Sequence, residues 1–525
     1  MDDTNTNVGR TTDLQQGLVH QEESMQVCPD TGSHISKLPG ELLVEVFLML
    51  QAIQGLGDWH STNWRNVTYV CRAWRIVALS APVLWSTPPT HREEYTSLVL
   101  ERSKSANLRI ALERRTSKAT INAVLGHIER IQALVIDLDV DTIAYVHDIL
   151  LSSCDIPWSK LTEFSINFDF WAGRTFTLSP TVIRQLKYLR HLQFWSITFD
   201  WTALACPNLT SLSLLFTDLE GMITWQQFFS TLQQMPLLES LTLDLETILK
   251  STHAPSTEIH CIQLPCLQSL TLPNDLDTFS TSYFLLHLIL PKLNSLTFST
   301  SWSARDDNDY PAIIQAVSST LTNGDFGHLD SILVGDKQFH VSRLGQVTGI
   351  DVHFPYLYFE DPQHYILFIQ QLVEGIAIKV TNNFLGLCQV SLKCPMIDCD
   401  GLAMLLGKFS RLKTLIVDHN SICAPLAQAL EFGTLGSSSL TPLCRTLENI
   451  TLILFVAGPQ HWNESTAMLD LHKSLLARHK SGFGIKTLWL NRSAMPDDMI
   501  KQFEDIGICV EIEERSASPA VRLES

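Results

Sequence analysis

Metal or thiol chemistry would have its best chance at CQVSLKCPMIDC, where Cys388, Cys394 and Cys399 fall within one short stretch. Thiolates so grouped suit zinc, which takes four ligands in a tetrahedron. No paired His and no second pair of Cys follows at the spacing that zinc ligation uses. Cys261 and Cys266, flanking IQLP, lack a second pair in the same way. Both groups read as buried structural thiols. Histidines such as His127, His191 and His419 have no serine or cysteine nucleophile motif beside them. GxSxG, GxxxxGK[ST], HExxH and a dinucleotide-binding glycine pattern are missing. The chain is therefore expected to be non-catalytic, with no metal and no cofactor.

What remains is recognition, and composition narrows it. The 525 residues carry a formal charge of −18 and are 45% hydrophobic. That acidity disfavours nucleic acid, whose phosphates need clustered Lys and Arg. It equally disfavours anionic lipid. The most apolar stretch, LPGELLVEVFLML (38–50), is interrupted at Glu45 and falls short of the roughly 20 residues of a membrane span. The start, MDDTNTNVGRTTDLQQG, has neither the basic end nor the apolar centre of a signal peptide. A cytoplasmic or nuclear, reducing setting with free thiols is expected. Residues 1–33 and 513–525 read as disordered tails; Ser518-Pro519 lies in the second.

Two kinds of element stand between the tails. A helical block fills 34–86. Leu42, Leu43, Val46, Phe47 and Leu50 recur at one-face helical spacing, with Pro39 suited to the first turn. After the loop GDWHSTN, a second helix is expected over about 64–79. It would set Trp64, Val67, Cys71, Trp74 and Ala78 on one face, and Pro82 in APVLW would end it. Domains of about 60 residues are marginal alone. The block must therefore pack on the remainder of the chain or offer its apolar surface to a partner.

From 87 to 512 the chain repeats itself. LRHLQF (Leu189), LTSLSL (Leu209), LESLTL (Leu238), LQSLTL (Leu267) and LNSLTF (Leu293) share one pattern, the last three intervals being 29, 29 and 26 residues. Weaker copies begin at Leu161, Leu329, Leu387, Leu412, Leu447 and Ile485. This is the L-x-x-L-x-L core of a leucine-rich repeat. Asn420 and Ile422 continue the signature after Leu412, while Thr217 holds the asparagine position after Leu214. The fold class expected is α/β. A small helical domain precedes an irregular solenoid whose L-x-L strands form a parallel sheet on the concave face. Stretches 300–312 and 336–365 read as insertions. Proline precedes several strands, at Pro207, Pro236, Pro265 and Pro291, where it would end a helix and force an extended approach.

The helical block resembles an F-box. The matching residues are Ile35, LPGELL (38–43), Val46-Phe47, then Trp64, Val67, VCR (70–72), Trp74-Arg75, VAL (77–79), Pro82 and Leu84-Trp85. The VCR-x-WR core and terminal P-x-LW are similar to the version common in fungal F-box proteins, in which repeat domains often come next. Gly40 replaces a better helix former, and the 51–63 loop is longer than in the compact version. The resemblance covers about a tenth of the chain. It implies a substrate-recognition subunit of a Skp–cullin–F-box ubiquitin ligase. Leu38, Pro39, Leu42, Leu43, Val46, Phe47, Val67, Val70, Cys71 and Trp74 would meet the Skp-type adaptor, and the repeats would hold an unidentified protein target. The alternatives are a repeat scaffold with the block as its cap and no role in ubiquitination, or an enzyme on a repeat scaffold.

Side chains alternate along a strand. The residues between the repeat leucines should therefore form an outward hydroxyl face: Ser211, Ser213, Ser240, Thr242, Ser269, Thr271, Ser295 and Thr297. Such a face would not select a target by charge. Small hydroxyls also suit close strand stacking. Trp195, Trp225, Trp302 and Trp489 are further candidate anchors, core packing being the plainer reading.

Overall fold

In the computed structural model the chain is a mixed α/β protein. The structure describes residues 38–54, 63–168, 176–217, 223–245, 261–276, 278–300, 310–326, 329, 331–335, 338–342, 349–353, 388–393, 397–407, 409–431, 444–453, 466–491 and 497–513. The first expected tail, the second beyond Glu513, Ile35, Trp302, Cys394 and most of the 51–63 loop lie outside the described residues, while Glu513 itself ends a strand. The chain divides into two compact units, residues 1–87 with 98–106, and residues 88–97 with 107–525.

The first unit is helical. Helix α1 (Gly40–Gln54) follows Pro39, whose carbonyl accepts from the Leu43 N–H at 3.1 Å. The second helix is not continuous as expected. Residues Asn63–Tyr69 form a 3-10 helix, the chain turns, and α2 runs from Arg72 to Ser80. The break lies at Cys71, which is extended (φ −158°, ψ 170°) and caps α2, its Sγ accepting from the Trp74 N–H at 3.5 Å. A thiol is a weak acceptor, but a cap needs only one. Trp64 and Val67 therefore share no helix face with Cys71 and Trp74. Trp64, Ala78, Leu84, Trp85, Val99 and Leu100 are buried. The Trp85 indole N–H donates to the Ala78 carbonyl at 2.9 Å.

Among the described residues, the second unit is built on a sixteen-stranded sheet. Its strands are β1 (Leu108–Glu113), β2 (Ile131–Asp137), β3 (Glu163–Asn167), β4 (His191–Trp195), β5 (Ser211–Leu215), β6 (Ser240–Leu243), β7 (Ser269–Leu276), β8 (Ser295–Thr300), β9 (Ser331–Gly335), β10 (Gln338–Ser342), β11 (Gly349–His353), β12 (Gln389–Lys393), β13 (Thr414–Val417), β14 (Asn449–Leu452), β15 (Thr487–Asn491) and β16 (Cys509–Glu513). From β1 to β8, and from β12 to β16, each strand lies parallel to the next in sequence. Between these runs β8 pairs with β11, β11 with β10, β10 with β9, and β9 with β12. Strand β10 is antiparallel to both neighbours, a departure from the all-parallel sheet expected. Part of 336–365, read as an insertion, thus belongs to the sheet. The cause is local: a chain that turns back within a few residues pairs antiparallel, whereas parallel pairing needs a long crossover.

Every strong repeat supplies a strand with its leucines buried, as at Leu212 and Leu214, Leu241 and Leu243, and Leu270 and Leu272. The prolines do something more specific than end a helix. Each is the second residue of a turn closed by the first repeat leucine: Leu209 N–H to Cys206 O (3.1 Å), Leu238 to Met235 (3.2 Å), Leu267 to Leu264 (3.3 Å) and Leu293 to Leu290 (3.2 Å). Proline's fixed φ suits that position. Helices return between strands, and Trp201, Trp225, Phe228, Phe229 and Phe284 fill the space behind β4–β8. Thr217 links neighbouring strands. Its hydroxyl lies 3.2 Å from the Phe194 carbonyl of the preceding strand and 3.0 Å from the Leu215 carbonyl. Thr217→Val keeps the shape and removes the donor. We expect a loss of about 1–2 kcal/mol in denaturant unfolding, and unchanged stability would show that these contacts carry nothing.

Candidate functional site

Helix α1 is apolar on two sides. The inner side carries Leu43 and Phe47, both buried, with the Phe47 ring 5.1 Å from Trp74. The outer side carries Leu42 (50% exposed), Val46 (46%), Met49 (63%) and Ile53 (68%). Their spacing of four, three and four puts them on one stripe. Leu38 and Pro39 are exposed just before it. A surface helix normally buries one apolar stripe and wets the other side. This one has a second stripe with no cover among the described residues.

The ten sequence-predicted docking residues therefore separate. Leu38, Pro39, Leu42, Val46, Val70 and Cys71 are exposed, and Trp74 is half-buried. Leu43, Phe47 and Val67 face the interior of the unit and hold it together. One-face spacing grouped Leu42 with Leu43 and Val46 with Phe47; adjacent residues sit about 100° apart on a helix and fall on different sides. Sequence reasoning also missed exposed Met49, Ile53, Tyr69 and Ile76. The signal was present in VFLMLQAI, which stays apolar beyond what a single stripe needs.

Positive charge gathers in the same unit. Arg102 stacks 4.5 Å over Trp85, and the Arg65 guanidinium carbon lies 5.9 Å from the Trp64 ring. Burial, then the neighbouring Arg102, pushes Arg65 down to about 10. Burial, then Arg75, lowers Arg102. Three guanidinium groups thus crowd together in a chain of net charge −18.

On the sheet the eight predicted hydroxyls form two straight rows. Ser211, Ser240, Ser269 and Ser295 pair laterally in one, and Ser213, Thr242, Thr271 and Thr297 in the other. All eight are half-buried and face away from the leucine core. Trp195 and Trp489 are exposed, while Trp225 is core.

The cysteine groups differ from expectation. Cys261 is exposed, and Cys266, Cys388 and Cys399 are half-buried, whereas Cys206, Cys423 and Cys444 are the buried thiols. Burial pushes Cys206 and Cys444 up to about 12, so neither offers a thiolate. Among the described residues, no three His, Cys, Asp or Glu side chains stand together as a metal site. Nor is any described helix long and apolar enough to cross a membrane. The chain matches no protein-family model and no curated protein sequence.

Proposed function

We propose that this chain is the substrate-recognition subunit of a Skp–cullin–F-box ubiquitin ligase. The observation that carries the reading is the second apolar stripe of α1, Leu42, Val46, Met49 and Ile53, on a unit whose core is already filled from the other side. A helix laid against a partner's apolar groove uses this spacing of anchors. The F-box-like order of residues from Leu38 to Trp85 names the partner as a Skp-type adaptor. Leu38, Leu42 and Val46 from the first segment, with Val70 and the rim of Trp74 from the second, would supply the contact. In this reading the second unit is a leucine-rich-repeat solenoid that holds a protein target. The chain catalyses nothing itself and raises the target's effective concentration at the ligase.

The test is capture of adaptor and cullin by tagged full-length chain, beside a Val46→Asp, Val70→Asp variant. Both side chains are exposed, so the variant is expected to fold and melt as wild type does. A buried, unpaired charge at such an interface costs several kcal/mol. Capture should fall at least ~100-fold. Equal capture by both proteins removes the docking assignment, and capture by neither makes the chain a repeat scaffold whose helical unit is a cap.

A further inference from the structure

Around Trp195 the sheet presents amide, hydroxyl and indole side chains on one face. Trp195 ends β4 and is 38% exposed. Gln193 and His191 precede it on the same face, and Ser213 on β5 and then Thr242 on β6 continue the Gln193 row to one side. Neighbouring positions in this grid are about 5 Å apart across strands and about 7 Å along them. Indole, Gln193, Ser213 and Thr242 thus fit beneath one or two pyranose rings. Among the described residues, the side chains of Gln193, Ser213 and Thr242 make no hydrogen bond. Asn167, paired with Trp195 on β3, has a covered Oδ1 that accepts none either.

The indole packs against a neighbouring ring. Phe216 lies 5.6 Å from it, ring centre to ring centre. Its backbone is left-handed (φ 49°), rare for a bulky residue, and its N–H donates to buried Asp244 at 3.1 Å. The charges nearby are paired or buried: Asp137, two strands from Trp195 in the same row, lies 3.7 Å from Arg114. Glu163 is gripped by Arg109 through two bonds of 3.1 and 2.7 Å, and Asp244 is fully buried.

We propose that this face of β4, β5 and β6, centred on Trp195, binds a neutral oligosaccharide. A sugar ring lays its C–H face on an indole, and its hydroxyls take both donors and acceptors, which amides and hydroxyls supply. Phosphates and carboxylates find no free Lys or Arg among the described residues of this face. An extended peptide is read mainly through its main chain at an open strand edge. These three strands are paired on both sides and offer side chains alone. The site is independent of adaptor docking.

Saturation-transfer NMR on the full chain, with N,N′-diacetylchitobiose, mannotriose and cellotriose as probes at millimolar concentration, tests this. Transfer to at least one is expected. Trp195→Ala should weaken it about tenfold or more and Trp195→Phe much less, as expected of an aromatic hot spot. Gln193→Ala should also weaken it, and it decides the matter if Trp195→Ala fails to fold. Transfer to none of the three overturns the proposal, as does binding that survives both alanine variants. Trp195-dependent binding of a nona-proline peptide, with no saccharide bound, overturns it in favour of peptide recognition.

Discussion

Phe47→Ala should unfold the helical unit under conditions where Val46→Asp leaves it intact. The two residues are adjacent, yet Phe47 is wholly buried against Trp74 and Val46 is half exposed. Truncating a buried phenylalanine costs about 3–5 kcal/mol, transfer energy and cavity together. A unit this small has little margin to absorb that. Leu43 and Val67 lie on the same inner side and should respond in kind, at about 2–5 kcal/mol for leucine. Hydrogen exchange over residues 40–54 and 63–85 would report it: the amides should lose protection in Phe47→Ala and keep it in Val46→Asp. The comparison also bears on adaptor capture. Loss of capture in a Leu43 or Phe47 variant is a folding effect, and the outer stripe alone isolates docking. Protection that stays within about 1 kcal/mol of wild type in Phe47→Ala would falsify the inner-core assignment.

Gly349→Ala is the second large effect. Gly349 opens β11, opposite Ser342 of the reversed strand β10. A methyl group there would overlap the Val341 carbonyl oxygen and come within 2.9 Å of the Ser342 Cα. Both obstacles are backbone, so no rotamer change relieves them. Overpacking of this kind costs about 1–3 kcal/mol, and a backbone clash belongs at the upper end. We expect faster exchange of the amides of 338–342 and 349–353 and a lower melting temperature. Gly482→Ala supplies the contrast. Gly482 has open space around it but a φ of +81°, so its cost is conformational and confined to a turn. Equal melting of Gly349→Ala and wild type would mean that β10 and β11 separate at no cost.

The parts of this fold that repeat are the parts that could be read. From Leu161 to Ile485, each L-x-x-L-x-L copy with described residues became a strand, because alternation fixes which side chains are buried and one leucine spacing recurs. LRIALE breaks the L-x-x-L-x-L pattern, and IQALVI, which keeps it 30 residues before Leu161, has isoleucine at both ends, so β1 and β2 went unread. The antiparallel strand β10 was illegible for a different reason. Nothing in QFHVS states its direction; that is set by the short return from β9. In the helical unit, spacing found the right residues and gave them one side where there are two. The break at Cys71 has only a weak signature, since cysteine is not among the usual capping residues. Arg478, fully buried with its Nη2 donating to the Cys444 carbonyl at 2.9 Å, stood in a sequence that looks like an ordinary solvated helix end.

The reversed strand has a consequence for how the sheet comes apart. In β1–β8 and in β12–β16, each strand leans on the strand next in sequence, so order can spread along either run from any point. Among the described strands the two runs are joined through β11, β10 and β9, and both pairings of β10 are antiparallel. Cooperativity is then limited by the weakest nearest-neighbour link, and melting need not be all-or-none. The described sheet is then expected to melt as two blocks, with three short strands passing strain from one to the other.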